Sequence, residues 1–388
     1  MTVPDRVAPF LAAAHKLVSH VNEARGEIER QRNLPPALVA EMTEAGMFSI
    51  WLCRACGGPE LDFVGFLRVI EELSRADGSV GWCAMIAAGL GWLSGYMTAD
   101  AALQIFGDGR RCAGTLSPTG KAIAVEGGFR VSGRWSFASF IAHSDWVAGN
   151  SIVHDSDVPR RDTNGAPDIR LMIMPTSEVE IIDNWHVSGL RGSGSSDYQV
   201  HDMFVPAEHS LAVFQAQPLQ PGPLYRMPLI TLFAATVPCV SVGIARAAID
   251  AFLDLAENKT PTGSTARLRE GPVAQADVGR AEARLRAGRA FLVEAMEELW
   301  AEAVAGRTPT LRQRAIARLA AAEAAESSVR TVELVWKAAG ATALFESNRL
   351  ERCFRDVHAT TQHILTNTGN FEVAGRVLLG LEPGRPNF

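Results

Sequence analysis

The hydrophobic period of the sequence changes twice along the chain, and this change limits the folds that the chain can adopt. Apolar residues recur at helical spacing up to about residue 110, alternate as in strands from 111 to 214, and return to helical spacing from 224. The stretch 215–223, rich in proline and glutamine, is typical of a linker. The pattern predicts an α+β protein with an N-terminal helical domain (1–110), a central β-sandwich or barrel (111–214) and a C-terminal four-helix bundle (224–388).

The composition argues against several kinds of partner. A net charge of −6 over 388 residues gives no electrostatic reason to expect nucleic acid. No uninterrupted apolar run is long enough to cross a bilayer, and the first residues lack the layout of a secretory signal, so we expect no membrane partner and a cytoplasmic location. Cys53 and Cys56 form a Cys-x-x-Cys pair without a second pair or suitably spaced histidines, so we expect reduced thiols and no metal site.

One stretch of the central region carries an unusual set of side chains. Two strand-like runs are joined by a Glu126–Gly128 corner, which is the turn chemistry of a hairpin, and the second run ends on aromatic and hydroxyl residues. On a strand, Trp135, Phe137 and Ser139 face the same way. Such a face can lie against a flat conjugated ring with a hydroxyl at its edge, or it can fill the core of a sheet, and this stretch alone leaves both open.

Four motifs, in this order, resemble those of the acyl-CoA dehydrogenase-like flavoproteins. They are the Gly-Met-Phe to Gly-Gly-Pro-Glu-Leu run at 46–61, the Ser-Gly-Arg-Trp turn at 132–135, the Asp-Met-Phe-Val-Pro segment at 202–206 and the Glu-Arg-Cys-Phe-Arg-Asp segment at 351–356. The resemblance covers almost the whole chain. It implies the fold of that family, which has the same order of helices, strands and helices.

The residues after Asp356 separate two branches of the resemblance. Dehydrogenases of this type commonly place a glutamate base eight residues beyond the aspartate, where this chain has Ile364, and neither 357–370 nor 228–248 contains an Asp or a Glu. Two-component flavin monooxygenases instead have a histidine seven residues beyond it, here His363, and their strand and loop motifs resemble 135–146 and 185–195. The motifs therefore favour the monooxygenase branch.

This branch implies a chemistry and two central residues. The resemblance implies an enzyme that receives reduced FAD or FMN from a flavin reductase, since no dinucleotide-binding motif is present, and uses O2 through a C4a-hydroperoxyflavin to hydroxylate an aromatic or polycyclic small molecule. Ser139 is predicted near flavin N5, and His363 is predicted as the base that activates the substrate. The alternatives are oxidation of nitrogen or sulfur, an acyl-CoA dehydrogenase with an unusual base, and a catalytically silent flavin carrier.

The resemblance also implies further contacts and an oligomer. Leu90 stands where many aromatic hydroxylases of the branch have a second histidine, and Phe140 stands where a small residue is usual, so we expect a more apolar pocket. The family implies a homotetramer. Cofactor contacts are predicted for Ser117, Trp135, Phe137, Ser139, Arg267 and Gln275, and substrate contacts for Trp82, Leu90 and Phe140.

Overall fold

The computed structural model describes residues 3–162 and 165–384, so the remaining residues of the predicted domains (1, 2, 163, 164 and 385–388) lie outside the described residues. Helices come first along the chain, and the longest helix of this N-terminal part spans 29 residues. Asp62 and Asp77 cap two of them by accepting backbone N–H groups of the first turn. The helices of this part are α1 (Val3–Gln31), α2 (Pro36–Glu44), α3 (Phe63–Ala76), α4 (Gly78–Leu90) and α5 (Ala99–Phe106).

The central part forms one mixed sheet of eight strands. Its strands are β1 (Cys112–Val125), β2 (Gly128–Ala138), β3 (Trp146–Asp155), β4 (Val158–Pro159), β5 (Ile169–Pro175), β6 (Glu180–Ile182), β7 (Ser196–Pro206) and β8 (Ser210–Leu211). The order across the sheet is β6-β7-β2-β1-β3-β5-β8, with β4 paired to β3. The β1–β3 pair is parallel, and the other pairs are antiparallel. The predicted hairpin is the β1–β2 pair, which closes where Val125 faces Gly128.

Helices return after the sheet, as the period of the sequence predicts. They are α6 (Leu229–Asn258), α7 (Pro272–Val304), α8 (Leu311–Ala339), α9 (Arg349–Thr360) and α10 (Gly369–Leu378). Helices α6 to α9 pack as a bundle, and α10 packs on α8. Helix α3 also packs against α6, so contacts cross from the first helical part to the last, and the domain boundaries stay predictions.

Helix α6 is apolar because it lies inside the bundle. By length and composition it could cross a membrane, with a mean hydropathy of 1.8 in its most apolar window, but 89% of that window is buried within the protein. The run is interrupted by Thr231, Thr236 and Ser241, all of which are buried. Packing against other helices therefore accounts for its apolar character.

Buried ion pairs tie α9 to the N-terminal helices and to the sheet. Arg352 of α9 lies 2.8 Å from the carboxylate of Asp77, which caps α4, and 3.4 Å from Glu29 of α1. One turn further on, Asp356 accepts the backbone N–H of Leu190 at 2.6 Å. Burial raises the pKa of Asp356 to about 7. These contacts hold the end of α9, and the segment after it, beside the loop that leads into β7.

Candidate active site

Two of the side chains predicted to share one face at the end of β2 have opposite environments. Trp135 is fully buried, where its ring stacks on Tyr198 at 5.1 Å and its Nε1 donates to the carbonyl oxygen of Asn150 at 2.8 Å. Phe137, two residues later, is 69% exposed. The predicted common face is therefore wrong, because the core of the sheet covers the indole of Trp135, and the predicted contact of Trp135 with a cofactor stays a prediction.

The backbone at the end of β2 explains the difference. Phe137 and Phe140 have φ angles of 66° and 68°, in the left-handed region, and the β2–β7 register shifts between Trp135 and Ala138. A left-handed residue at an irregularity of the ladder re-aims its side chain and ends the strict alternation of a strand. The ring of Phe137 meets the edge of Trp185, with centroids 6.2 Å apart, and leaves apolar surface exposed.

Ser139 belongs to a buried chain of hydrogen bonds. Its Oγ accepts from Nε1 of Trp82 at 2.9 Å and lies 2.6 Å from Oγ of Ser195, which in turn lies 2.7 Å from Oγ of Ser193. The three serines are 4% exposed or less, so little solvent reaches their hydroxyls. Because an indole N–H can only donate, Ser139 accepts from Trp82 whatever else it binds.

Sequence reasoning missed the roles of Ser193 and Ser195 and placed Trp82 only as a substrate contact. The two serines lie in the glycine-rich segment 189–196, which resembled a family motif without an assigned role. In the structure, a short 3-10 turn ends at Ser193, with left-handed residues on both sides of the turn. The carbonyl oxygen of Ser193 also accepts the N–H of Phe140 at 2.8 Å, so the loop is bound to the end of β2.

His363 lies against the same indole from the C-terminal part of the chain. The ring centroids of Trp82 and His363 are 5.9 Å apart, in an edge-on arrangement. His363 follows α9 and caps the next short 3-10 helix, because its Nδ1 accepts the backbone N–H of Leu365 at 3.3 Å. Burial lowers the pKa of His363 to about 4, so the imidazole is neutral at neutral pH. The structure therefore brings Trp82, Ser139 and His363 together from three distant parts of the chain.

Comparison with known proteins identifies the family. Residues 9–101 match the model of the acyl-CoA dehydrogenase N-terminal domain, and residues 235–368 match that of its C-terminal domain. An indole-3-acetate monooxygenase of Pseudomonas putida is 30% identical over 361 residues, which is 92% of this chain and 90% of that protein. The chain belongs to the acyl-CoA dehydrogenase family. The family and the fold predicted from the four motifs are thus confirmed.

Its relatives within the acyl-CoA dehydrogenase family are flavin-dependent monooxygenases. The oxygenase component of an FADH(2)-dependent resorcinol hydroxylase of Rhizobium sp. is 29% identical over 378 residues, covering 92% of this chain and 90% of that protein. The crystal structure of the HsaA monooxygenase from Mycobacterium tuberculosis has a TM-score of 0.88 at 26% identity, covering 98% of this chain and 100% of that one. The predicted monooxygenase branch and enzyme class are confirmed.

A flavin of the kind that this family uses fits the end of β2. The exposed face of Phe137 offers an apolar surface for a flat ring, and the hydroxyl of Ser139 lies two residues further along the chain. At the position where dehydrogenases of the family commonly carry their base, Ile364 is 74% exposed and has no group that accepts a proton. These residues fit a flavin but do not supply dehydrogenase chemistry.

The other predicted cofactor contacts lie apart from this cluster. Ser117 is exposed at a register shift of β1. Arg267 and Gln275 are exposed near the start of α7, and the guanidinium of Arg267 donates to the carbonyl oxygen of Glu257 at 3.2 Å. Among the described residues, no hydrogen bond or ring contact joins these three side chains to Ser139. Their roles in cofactor binding stay predictions.

Phe140 and Leu90, two of the predicted substrate contacts, are both buried. Phe140 has no exposed surface and packs on Phe48 with ring centroids 4.7 Å apart, so its contact with a substrate stays a prediction. Its left-handed backbone turns the ring into the core. Leu90 is the last residue of α4 and is 8% exposed, and its contact with a substrate stays a prediction.

Proposed function

We propose that this protein is the oxygenase component of a two-component system that hydroxylates an aromatic or polycyclic small molecule with O2 and reduced FAD or FMN. The observation that carries the proposal is the contact of both Ser139 and His363 with Trp82, while Phe137, two residues before Ser139, exposes its ring. Two relatives, an indole-3-acetate monooxygenase and a resorcinol hydroxylase, are named for aromatic substrates, which supports an aromatic substrate here.

Each part of this cluster has a task in such a reaction. A reduced flavin, when bound, supplies the electrons that activate dioxygen. Phe137 would cover part of one face of the ring, and Ser139 would hydrogen-bond a polar atom at its edge. The burial of the three serines keeps water from that edge, which matters because water favours release of hydrogen peroxide over transfer of oxygen. His363 would then face the aromatic substrate.

The partner and the assembly are part of the same proposal. A separate flavin reductase would supply the reduced cofactor, as the name "oxygenase component" of the resorcinol hydroxylase relative suggests. We propose a homotetramer, for which the exposed apolar side chains of the bundle, Leu344 at 63%, Phe345 at 66% and Leu379 at 80%, offer contact surface. Six free cysteines suit a reducing compartment such as the cytoplasm.

The proposal is tested with reduced flavin and two aromatic probes. The protein is mixed without oxygen with reduced FMN or FAD, oxygenated buffer containing resorcinol or indole-3-acetate is added, and hydroxylated product and hydrogen peroxide are measured. We expect product with at least one probe and more peroxide from the Ser139→Ala variant. Tightly bound oxidised FAD that is bleached by an acyl-CoA, without any hydroxylated product, would instead establish a dehydrogenase.

A further inference from the structure

We propose that His363 acts as a fixed hydrogen-bond donor through Nε2–H, not as the general base, and that it selects an aromatic substrate with an oxygen acceptor on the ring. The part about the substrate rests on the function proposed above. The part about the histidine rests only on the geometry of the segment after α9. It revises the role that the sequence predicts for this residue.

The backbone determines which ring nitrogen of His363 carries the proton. A neutral imidazole has one donor and one acceptor nitrogen, whereas a backbone N–H can only donate. The N–H of Leu365 points at Nδ1 at 3.3 Å, so Nδ1 must be the acceptor. The proton is therefore on Nε2. Among the described residues, Nε2 has no hydrogen-bond partner, so this N–H is free to bind a ligand.

The same geometry opposes a role as base. To accept a proton at Nε2, the ring would need a proton on Nδ1, and two N–H groups would then point at each other. Positive charge is also disfavoured at the N-terminal end of the short helix that His363 caps. Among the described residues, no carboxylate pairs with His363, while burial lowers the pKa of the ring to about 4. Protonation of this imidazole is thus opposed both by the N–H of Leu365 at the start of the short helix and by burial of the ring.

A fixed donor in a partly buried site discriminates between substrates. A phenolic, carboxylate or carbonyl oxygen on the substrate would accept from Nε2–H. A ring that presents only C–H or N–H groups at this edge leaves the donor unpaired, which lowers affinity by about 10- to 100-fold. Trp82, edge-on to the imidazole, holds the ring in this orientation. We therefore expect oxygen-bearing aromatic substrates at this edge.

The position of the proton can be measured without substrate or flavin. The protein is labelled with 15N-histidine, and the His363→Gln variant identifies the signals of this residue in 15N NMR spectra at pH 7. We expect the Nε2 signal of a nitrogen that carries hydrogen and the Nδ1 signal of one that does not. A hydrogen on Nδ1 with a bare Nε2 would overturn the proposal, whatever reaction the protein catalyses.

Two substitutions separate donation from capping. His363→Asn keeps an oxygen that can accept the N–H of Leu365 but has no donor at the Nε2 position, whereas His363→Gln reaches that position with an amide N–H. The assay uses whichever of resorcinol and indole-3-acetate the wild-type protein hydroxylates. We expect His363→Asn to lower product formation on the order of 100-fold and His363→Gln to stay within about tenfold of wild type.

The other outcomes of this pair are equally informative. Equal loss in both variants would indicate a base, and full activity of His363→Asn at an unchanged melting temperature would indicate a cap only; either result overturns the proposed donor. If the wild-type protein hydroxylates neither resorcinol nor indole-3-acetate, the proposed function fails for these probes, while the NMR result still decides the proton position of His363.

Discussion

Trp82 is the residue that connects the two polar groups of the candidate site. Its Nε1 donates to Ser139, and its ring meets the edge of His363. A hydroxyl that accepts from an indole and contacts a second hydroxyl has few orientations left, so its own proton is directed by the protein and not by solvent. At the scale of single residues, the site therefore depends on which groups donate and which accept.

The Trp82→Phe substitution tests this dependence on the donor. It keeps an aromatic ring beside His363 but removes the N–H that Ser139 accepts, so the hydroxyl is less well held. We expect the ratio of hydroxylated product to hydrogen peroxide to fall roughly fivefold, in line with the loss of one neutral hydrogen bond. The Trp336→Phe variant serves as a control for removal of an indole N–H elsewhere, since Nε1 of Trp336 donates to the carbonyl oxygen of Ala343 in the C-terminal part. An unchanged ratio in Trp82→Phe would show that the bond has no role in coupling.

The lowered pKa of His363 predicts an effect of pH on stability. The folded ring has a pKa of about 4, below the ordinary value of 6.5 for a histidine, so between these values the unfolded chain binds a proton that the folded chain does not. Stability contributed by this group is therefore lost as the pH falls from 6.5 towards 4. Relative to wild type, His363→Asn should gain on the order of 2 kcal/mol between pH 7 and pH 5. Urea unfolding at both pH values measures the gain, and the same difference at both would contradict the lowered pKa.

At the scale of elements, two helices of the N-terminal part begin with the same kind of cap in different surroundings. Asp62 accepts the N–H of Gly65 at the start of α3 and forms no ion pair among the described residues. Asp77 accepts the N–H of Ser79 at the start of α4 and also lies 2.8 Å from the buried guanidinium of Arg352. The second cap thus joins α4 to α9, which leads to His363.

We expect the two caps to differ in their contribution to stability. Asp62→Ala removes a capping bond and should lower the free energy of unfolding by about 1 kcal/mol. Asp77→Ala also leaves Arg352 without one of its carboxylate partners in a buried site, so the loss should reach roughly 3–5 kcal/mol. Denaturant unfolding of both variants measures the difference. Equal losses would mean that Glu29 and Asp356 compensate fully for the missing carboxylate.

At the scale of the whole molecule, the first and last helical parts are held together by close contact between α3 and α6. A Cβ added at Gly243 of α6 would lie 2.4 Å from the carbonyl oxygen of Glu71 and 2.6 Å from Cβ of Ser74. Only glycine allows this separation, because both groups belong to the backbone or the base of a side chain in α3. Helix α3, which contributes both of these groups, ends at Ala76, and Asp77 then caps the start of α4.

Two glycine substitutions test this contact. Gly243→Ala must push α3 and α6 apart, and we expect it to lower the free energy of unfolding by about 1–3 kcal/mol despite the better helix propensity of alanine. Gly279→Ala in α7 has no atom within 4 Å of the added Cβ and should raise stability by up to about 1 kcal/mol. If both variants gain stability, the α3–α6 contact is not limiting.

Much of this architecture can be predicted from the sequence, because the relevant signals are local. A helix repeats apolar residues every three or four positions, and a strand repeats them every two positions. These periods predicted the order of helices, sheet and helices. The resemblance of the segment after Asp356 to the family motifs likewise singled out His363 and placed Ile364 where dehydrogenases commonly have their base. Ser139 was singled out by its place on an aromatic strand.

The exposure and the hydrogen-bond partners of these side chains depend on the tertiary structure. The left-handed backbone at Phe137 turns its ring outward and leaves Trp135 in the core, and a strict strand period cannot show this. The bond between Trp82 and Ser139 spans 57 positions, and that between Ser139 and Ser195 spans 56. Periods and motifs predict which residues that are close in sequence share a face. Whether a side chain donates or accepts a hydrogen bond depends on groups that are distant in sequence and come together only when the chain packs. Motifs and periods thus predicted the family and the order of elements and singled out two candidate site residues, whereas the contacts of those residues depend on packing between distant parts of the chain.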